Sequence, residues 1–188
     1  MIPEFSAILR AAKAGDEHAV AMLWRAFNYR VVRFLQASVP DAAEDVAAET
    51  WVTVARKLHQ FDGGEIEFRA WLFRVARSRL VDFQRHSMRR PQTPIDPAAL
   101  PEQVADDDPA DAAIASAGTD AALALLAQLP EDQATVILLR ILADLDVEHV
   151  AEIVGKRPGA VRMLQLRGLR RLQQILTPAP PNREGVTR

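Results

Sequence analysis

The sequence predicts an all-α fold: a four-helix N-terminal domain and a C-terminal helix-turn-helix domain, joined by an acidic, proline-rich linker. Three observations predict it. Apolar residues recur at spacings of three and four, and no stretch alternates in the manner of a strand. In the first domain glycine and proline fall only at the breaks between these periodic stretches. All 7 Phe, 3 Trp and 1 Tyr lie between Phe5 and Phe83, so the two halves have cores of different chemistry. Between them, residues 91–118 carry six acidic and no basic residues, together with five of the 12 prolines. Such a segment is extended by like charge and stiffened by proline. The expected division is therefore a first domain at 1–90, a linker at 91–118, a second domain at 119–176 and a disordered tail at 177–188.

Taken in order, the first helix runs over about 5–13 and stops at Gly15-Asp16, and the second covers about 16–38 up to Pro40-Asp41. The third covers about 42–60 and ends at the Asp62-Gly63-Gly64 turn, and the fourth covers about 67–88. Asp16 and Asp41 are the expected N-caps, because a short carboxylate can accept from the free amides of a first turn. In the second domain a helix near 120–128 stops at Leu129-Pro130 and another runs from Glu131 to about Ala143. Two short amphipathic segments then meet at Gly155, the second entered through Arg157-Pro158, with proline in the first turn where its missing N–H costs nothing.

Composition excludes several classes. With no cysteine there is no disulfide scaffold, thiolate metal site or cysteine nucleophile. The longest charge-free runs, Ala121 to Pro130 and Leu172 to Asn182, are about half of what a bilayer-spanning helix needs, and the N-terminus lacks a basic-then-apolar leader; a soluble, unexported, cytoplasmic protein without direct membrane insertion is expected. His18, His59, His86 and His149 are scattered outside any HExxH or ExxH spacing, and no glycine-rich phosphate loop is present. An enzyme, a cofactor, a resident metal and a small-molecule substrate are therefore not expected.

Three helix faces carry chemistry. On the third helix Ala43, Ala47, Thr50, Val54 and Leu58 share one side, and Asp41, Glu44, Asp45 and Glu49 gather on the other. That acidic stripe is either a solvated face beside a helix N-terminus or a docking surface for a basic partner. On the fourth helix Phe68, Leu72, Val75, Ala76, Leu80 and Phe83 make the expected buried side, while Arg74, Arg77, Arg85 and Arg89 line the other beside Trp71 and Ser78. Arginine suits phosphate forks and base stacking, so the stripe reads as a single-strand platform or as a soluble face with Trp71 in the core. In the last helix Val161, Leu164, Gly168, Leu172 and Ile175 keep one side apolar, and Arg162, Met163, Leu166 and Arg167 point outward near the end that enters a major groove in helix-turn-helix proteins. A helical hairpin from an unrelated bundle would share this pattern.

The order of these features resembles the extracytoplasmic-function sigma factors, group 4 of the sigma-70 family, which are promoter-recognition subunits of bacterial RNA polymerase. The carriers are AEDVAAETW at Ala43 to Trp51, FRAWLFRVARSRLVDFQRHSMRR at Phe68 to Arg90, and LPEDQATVILLR followed by the helix-turn-helix. The resemblance implies that Glu44, Asp45 and Glu49 meet the clamp helices of the beta-prime subunit. It implies that Phe61, Trp71, Arg74, Arg77, Ser78 and Arg85 serve the -10 element, with the loop from Phe61 to Glu67 shaping a pocket for a flipped base. Arg162, Met163, Leu166 and Arg167 would read the -35 element, and Lys156, Arg157 and Arg170 would touch phosphates. Leu138 and Ile141 are either contacts to the beta flap or core. The linker would thread the catalytic cleft, with Asp106, Asp107 and Asp108 standing in for phosphates, and an anti-sigma partner would hold the protein inactive. Ala48, Ser78, Met163, Leu164 and Leu166 depart from residues usual in the family, so no promoter sequence carries over. A stand-alone helix-turn-helix regulator and a helical adaptor without DNA binding are the alternatives.

Overall fold

The first helix, α1 (Phe5–Lys13), packs on α2 (Glu17–Gln36), and Asp16 between them opens the second helix. Its carboxylate accepts from the amides of His18 at 2.8 Å and Ala19 at 3.2 Å. A 3-10 turn at Pro40–Ala42 leads into α3 (Ala43–Lys57), and a second one at Leu58–Gln60 leads out of it. Asp41 is therefore no N-cap. It lies inside the 3-10 turn, and Ala42 occupies the cap position, because Pro40 winds the chain tightly before α3 begins. A short loop then opens α4 (Glu65–Arg89). The computed structural model describes residues 4–89, 118 and 120–177. Residues 91–117 of the expected linker, with Asp106, Asp107 and Asp108, and the tail beyond Thr177 lie outside the described residues.

The core of this first unit is aromatic and centred on Phe68, whose ring lies 5.6 Å from Phe5, 5.5 Å from Phe27, 5.6 Å from Phe61 and 5.9 Å from Trp71. Phe73 is fully buried against Phe34, edge to face at 5.5 Å. Two polar side chains inside the unit are satisfied locally. Thr50 donates to the carbonyl of Val46 at 2.8 Å, and the Trp51 indole donates to Asn28 at 2.9 Å.

The second unit has an aliphatic core. A helix, α5, covers residues 120–126, followed by α6 (Glu131–Ile141), α7 (Val147–Val154) and α8 (Pro158–Leu176). The last segment is thus 19 residues long rather than short, because its apolar face continues along α6. Asp146 caps α7 by accepting from the His149 amide, and Gly155, at φ 66°, takes the left-handed turn that the α7–α8 corner needs. Gly168 lets α8 close on α6; a Cβ there would stand 2.6 Å from Ile137 Cδ1. Every described element is helical or a turn, and none is a strand.

The two units touch. Helix α4 packs on α7 and α2 on α6. Three ion pairs cross the junction: Arg33 to Asp120 at 2.5 Å, Arg69 to Asp144 at 2.8 Å and Arg74 to Glu152 at 2.9 Å.

Candidate nucleic-acid and polymerase interface

Helix α3 separates its two faces by charge. Ala43, Val46, Ala47, Thr50 and Val54 are buried, while Glu44, Asp45, Ala48, Glu49 and Val52 are exposed. The outward side is thus a carboxylate stripe with Val52 as an apolar spot, a composition suited to a basic partner.

On α4 the residues Trp71, Arg74, Ser78 and Arg85 fall within about 60° of one another at the helical period, with Arg77 about 60° further round. Arg74, Ser78 and Arg85 are exposed, and Trp71 and Arg77 are half-buried. Trp71 is neither a free platform nor a core residue, because its ring stacks on Phe61 with centroids 5.1 Å apart and planes at 27°. Phe61 opens the loop 61–64, where Gly64 donates to the Glu67 carboxylate at 2.9 Å. Aromatic faces, exposed loop backbone and arginines therefore share one edge of the unit, the elements needed to hold an unstacked base and its phosphates.

The buried side of α4 differs in part from the expected one. Phe68, Leu72, Ala76 and Leu80 are buried, whereas Val75 and Phe83 are only partly so. Phe73, Ala70 and Arg69 are buried as well, because α4 is covered on a wider arc than an isolated four-helix unit would cover. Arg69 thereby leaves the solvent face. Its bond to Asp144 is the main reason that this carboxyl is held below the usual aspartate range.

On α8 the side chains of Arg162, Met163, Leu166, Arg167 and Arg170 are exposed along one side, opposite Val161, Leu164, Gly168, Leu172 and Ile175. Arg157 and Lys156 are exposed at the start of the helix. Two of these cations already hold carboxylates: Arg162 pairs with Glu148 at 2.8 Å and Lys156 with Asp132 at 3.0 Å. Of the two aliphatic positions left open by the sequence, Leu138 is core and Ile141 is exposed. Among the described residues no group of histidine, aspartate and glutamate side chains could hold a metal ion, and no helix is long and apolar enough to cross a membrane.

Sequence reasoning missed Glu148 and Glu152, although their spacing of four on α7 was visible. It also missed Lys13, whose Nζ reaches the Phe61 carbonyl at 2.6 Å, and no local pattern pointed to that contact.

An all-helical chain with an acid-faced helix, an arginine-aromatic helix and a helix-turn-helix defines a promoter-recognition class of protein, and comparison with known proteins agrees. Residues 23–90 match Sigma-70 region 2, and residues 119–172 match Sigma-70 region 4. The ECF RNA polymerase sigma factor ShbA of Streptomyces griseus is 35% identical over 134 residues, 70% of each chain. SigD of Mycobacterium tuberculosis is 31% identical over 180 residues, covering 92% of this chain and 84% of its own. Among solved structures, CnrH in complex with the cytosolic domain of CnrY superposes with a TM-score of 0.65 at 20% identity, over 92% of this chain and 96% of that one, a likeness of fold. The chain belongs to the extracytoplasmic-function sigma factors of the sigma-70 family.

Proposed function

We propose that the chain joins core RNA polymerase in the cytoplasm and directs it to promoters by reading a -35 element with α8 and a -10 element with α4 and the loop before it. The first unit, 1–90, both docks and melts. Glu44, Asp45 and Glu49 meet the beta-prime clamp helices. Arg74, Arg77, Ser78 and Arg85 guide the non-template strand, while Phe61 and Trp71 face the flipped base. In the second unit, 119–176, Arg162, Met163, Leu166 and Arg167 meet base edges, Lys156, Arg157 and Arg170 meet phosphates, and Ile141 is the residue open to the beta flap. The chain makes and breaks no bond. It biases the duplex toward the open form by giving an unstacked base and its phosphates a better partner than water. An anti-sigma partner that covers the polymerase-facing surfaces restrains it, and the linker 91–118 threads the catalytic cleft of the polymerase.

The observation that carries this reading is the exposed carboxylate stripe of α3 in the same unit as the arginine-aromatic edge of α4. A DNA-binding regulator acting without polymerase has no use for such a stripe, and an adaptor has no use for either face. The test is run-off transcription with core RNA polymerase on promoter fragments, comparing the wild-type protein with an Asp45→Lys/Glu49→Lys variant. New transcripts that disappear in the variant support the reading. Duplex binding without core binding would return the protein to the stand-alone regulator.

A further inference from the structure

Helix α1 lies before the segment that matches region 2, yet it reaches the loop in front of α4. Lys13, in the last turn of α1, donates from Nζ to the Phe61 carbonyl at 2.6 Å across 48 positions of sequence. Phe5, from the first turn of the same helix, packs on Phe68 beneath the loop. The Phe61 backbone is thus held from α1 while its ring stacks on Trp71. The far side of the loop is fixed by the Gly64 amide on Glu67. It is also tightly fitted, since Gly63 has φ +145°, and a Cβ there would stand 2.8 Å from the Glu67 Cβ and 3.1 Å from the Phe61 ring.

Resting on the reading of this loop as the mouth of a base pocket, we propose that Lys13 is a positioning residue for base selection in the -10 element. Its ammonium fixes the Phe61 carbonyl and so sets the Phe61–Trp71 pair at one spacing and tilt. A hydrogen bond from a cation to a carbonyl is stronger than a neutral one, and partial burial keeps water from replacing it. A recognition surface that drifts by about 1 Å loses much of its discrimination. Arginine at this position keeps the charge and the donors, whereas glutamine is shorter and uncharged.

The experiment uses the full-length protein with core RNA polymerase on a promoter library randomised through the -10 element, counting transcripts for each base at each position. Lys13→Gln is expected to lower the ratio of best to worst base by about threefold or more at one position, leaving the other -10 positions and the -35 preferences in place. Lys13→Arg should restore that ratio. Phe61→Leu, which removes the stacked ring without touching the tether, should flatten the same position. Ratios within about twofold of wild type, a uniform fall in all transcripts, equal losses in the Gln and Arg variants, or flattening of a different position by Phe61→Leu would each overturn the proposal. If the wild-type protein shows no -10 preference at all, the sigma reading fails and the Lys13 assignment falls with it. If the wild-type preference is present and Lys13→Gln leaves it intact, Lys13 alone falls.

Discussion

Phe68 is the point at which stability and recognition meet, and its truncation gives the most direct test of the core. The side chain is fully buried and touches rings from α1, from α2 and from the loop, as well as Trp71 on its own helix. Phe68→Ala deletes a benzyl group amid four rings that cannot all move inward, so transfer and cavity terms add to about 3–5 kcal/mol. Phe68→Leu keeps most of the volume and should cost less than about 1.5 kcal/mol. For a unit of this size 1 kcal/mol moves the melting point by about 4–8 °C, so the alanine variant should fall by about 12 °C or more. All three tryptophans, Trp24, Trp51 and Trp71, lie in the first unit, so urea unfolding followed by tryptophan fluorescence reports this unit alone. A loss below about 1.5 kcal/mol for Phe68→Ala, or one no larger than for Phe68→Leu, would refute the idea that Phe68 holds the aromatic core together.

Three further outcomes follow from the same geometry. Arg162→Ala should weaken binding by about 1–3 kcal/mol on the cognate -35 site and much less on a scrambled one, whereas Arg170→Ala should weaken both alike; equal losses for both substitutions in electrophoretic shift assays reject the division into base and phosphate contacts. Glu152→Gln removes the carboxylate that competes for Arg74, so the free chain should hold a single-stranded -10 oligonucleotide about two- to fivefold more tightly; unchanged or weaker anisotropy would sink that view. The Asp146 carboxyl is held below its usual range chiefly by the His149 amide, so its contribution is complete above the unfolded value of about 3.9 and is lost as pH falls through the lower folded one. Urea midpoints between about pH 5 and pH 2.5 should therefore fall less steeply for Asp146→Asn than for wild type, and identical acid limbs would contradict the cap.

Periodicity made the helices legible because each buries one continuous stripe against neighbours close in sequence. Asp16, Gly155 and Pro158 stand where elementary capping rules put them. Asp41 failed because a cap rule reads one residue, whereas Pro40 imposes a 3-10 turn on three. The burial of Arg69 and Phe73, neither of which the helical period assigned to the core, has a different origin. A helical wheel assumes one buried side, but α4 is covered by α2 and α3 and also by α7 from the other unit, and nothing local announces a neighbour some seventy positions away. Exposed charges on α8 were easy to place because the apolar face excludes them. Their partners were not, because an ion pair such as Arg162–Glu148 depends on the corner angle that Gly155 sets.

Helix α7 gives the junction between the units its character. Glu148 and Glu152, one turn apart, hold one arginine from each proposed DNA surface, Arg162 within the second unit and Arg74 across the junction. Both pairs are largely exposed, with side chains more than half open to water, and surface pairs of that kind are worth ~0.2–1 kcal/mol each. Such arginines can exchange a carboxylate for a phosphate with little change in solvation, so on the proposed surfaces these two contacts compete only weakly with DNA. Arg69 is different. Its guanidinium is buried at the junction with Asp144 as partner, and separating the units removes the partner and rehydrates the cation together. The Arg69 cation, buried at the junction, therefore depends on the units staying together, whereas Arg74 and Arg162 stay open to water and, on the proposed reading, to DNA.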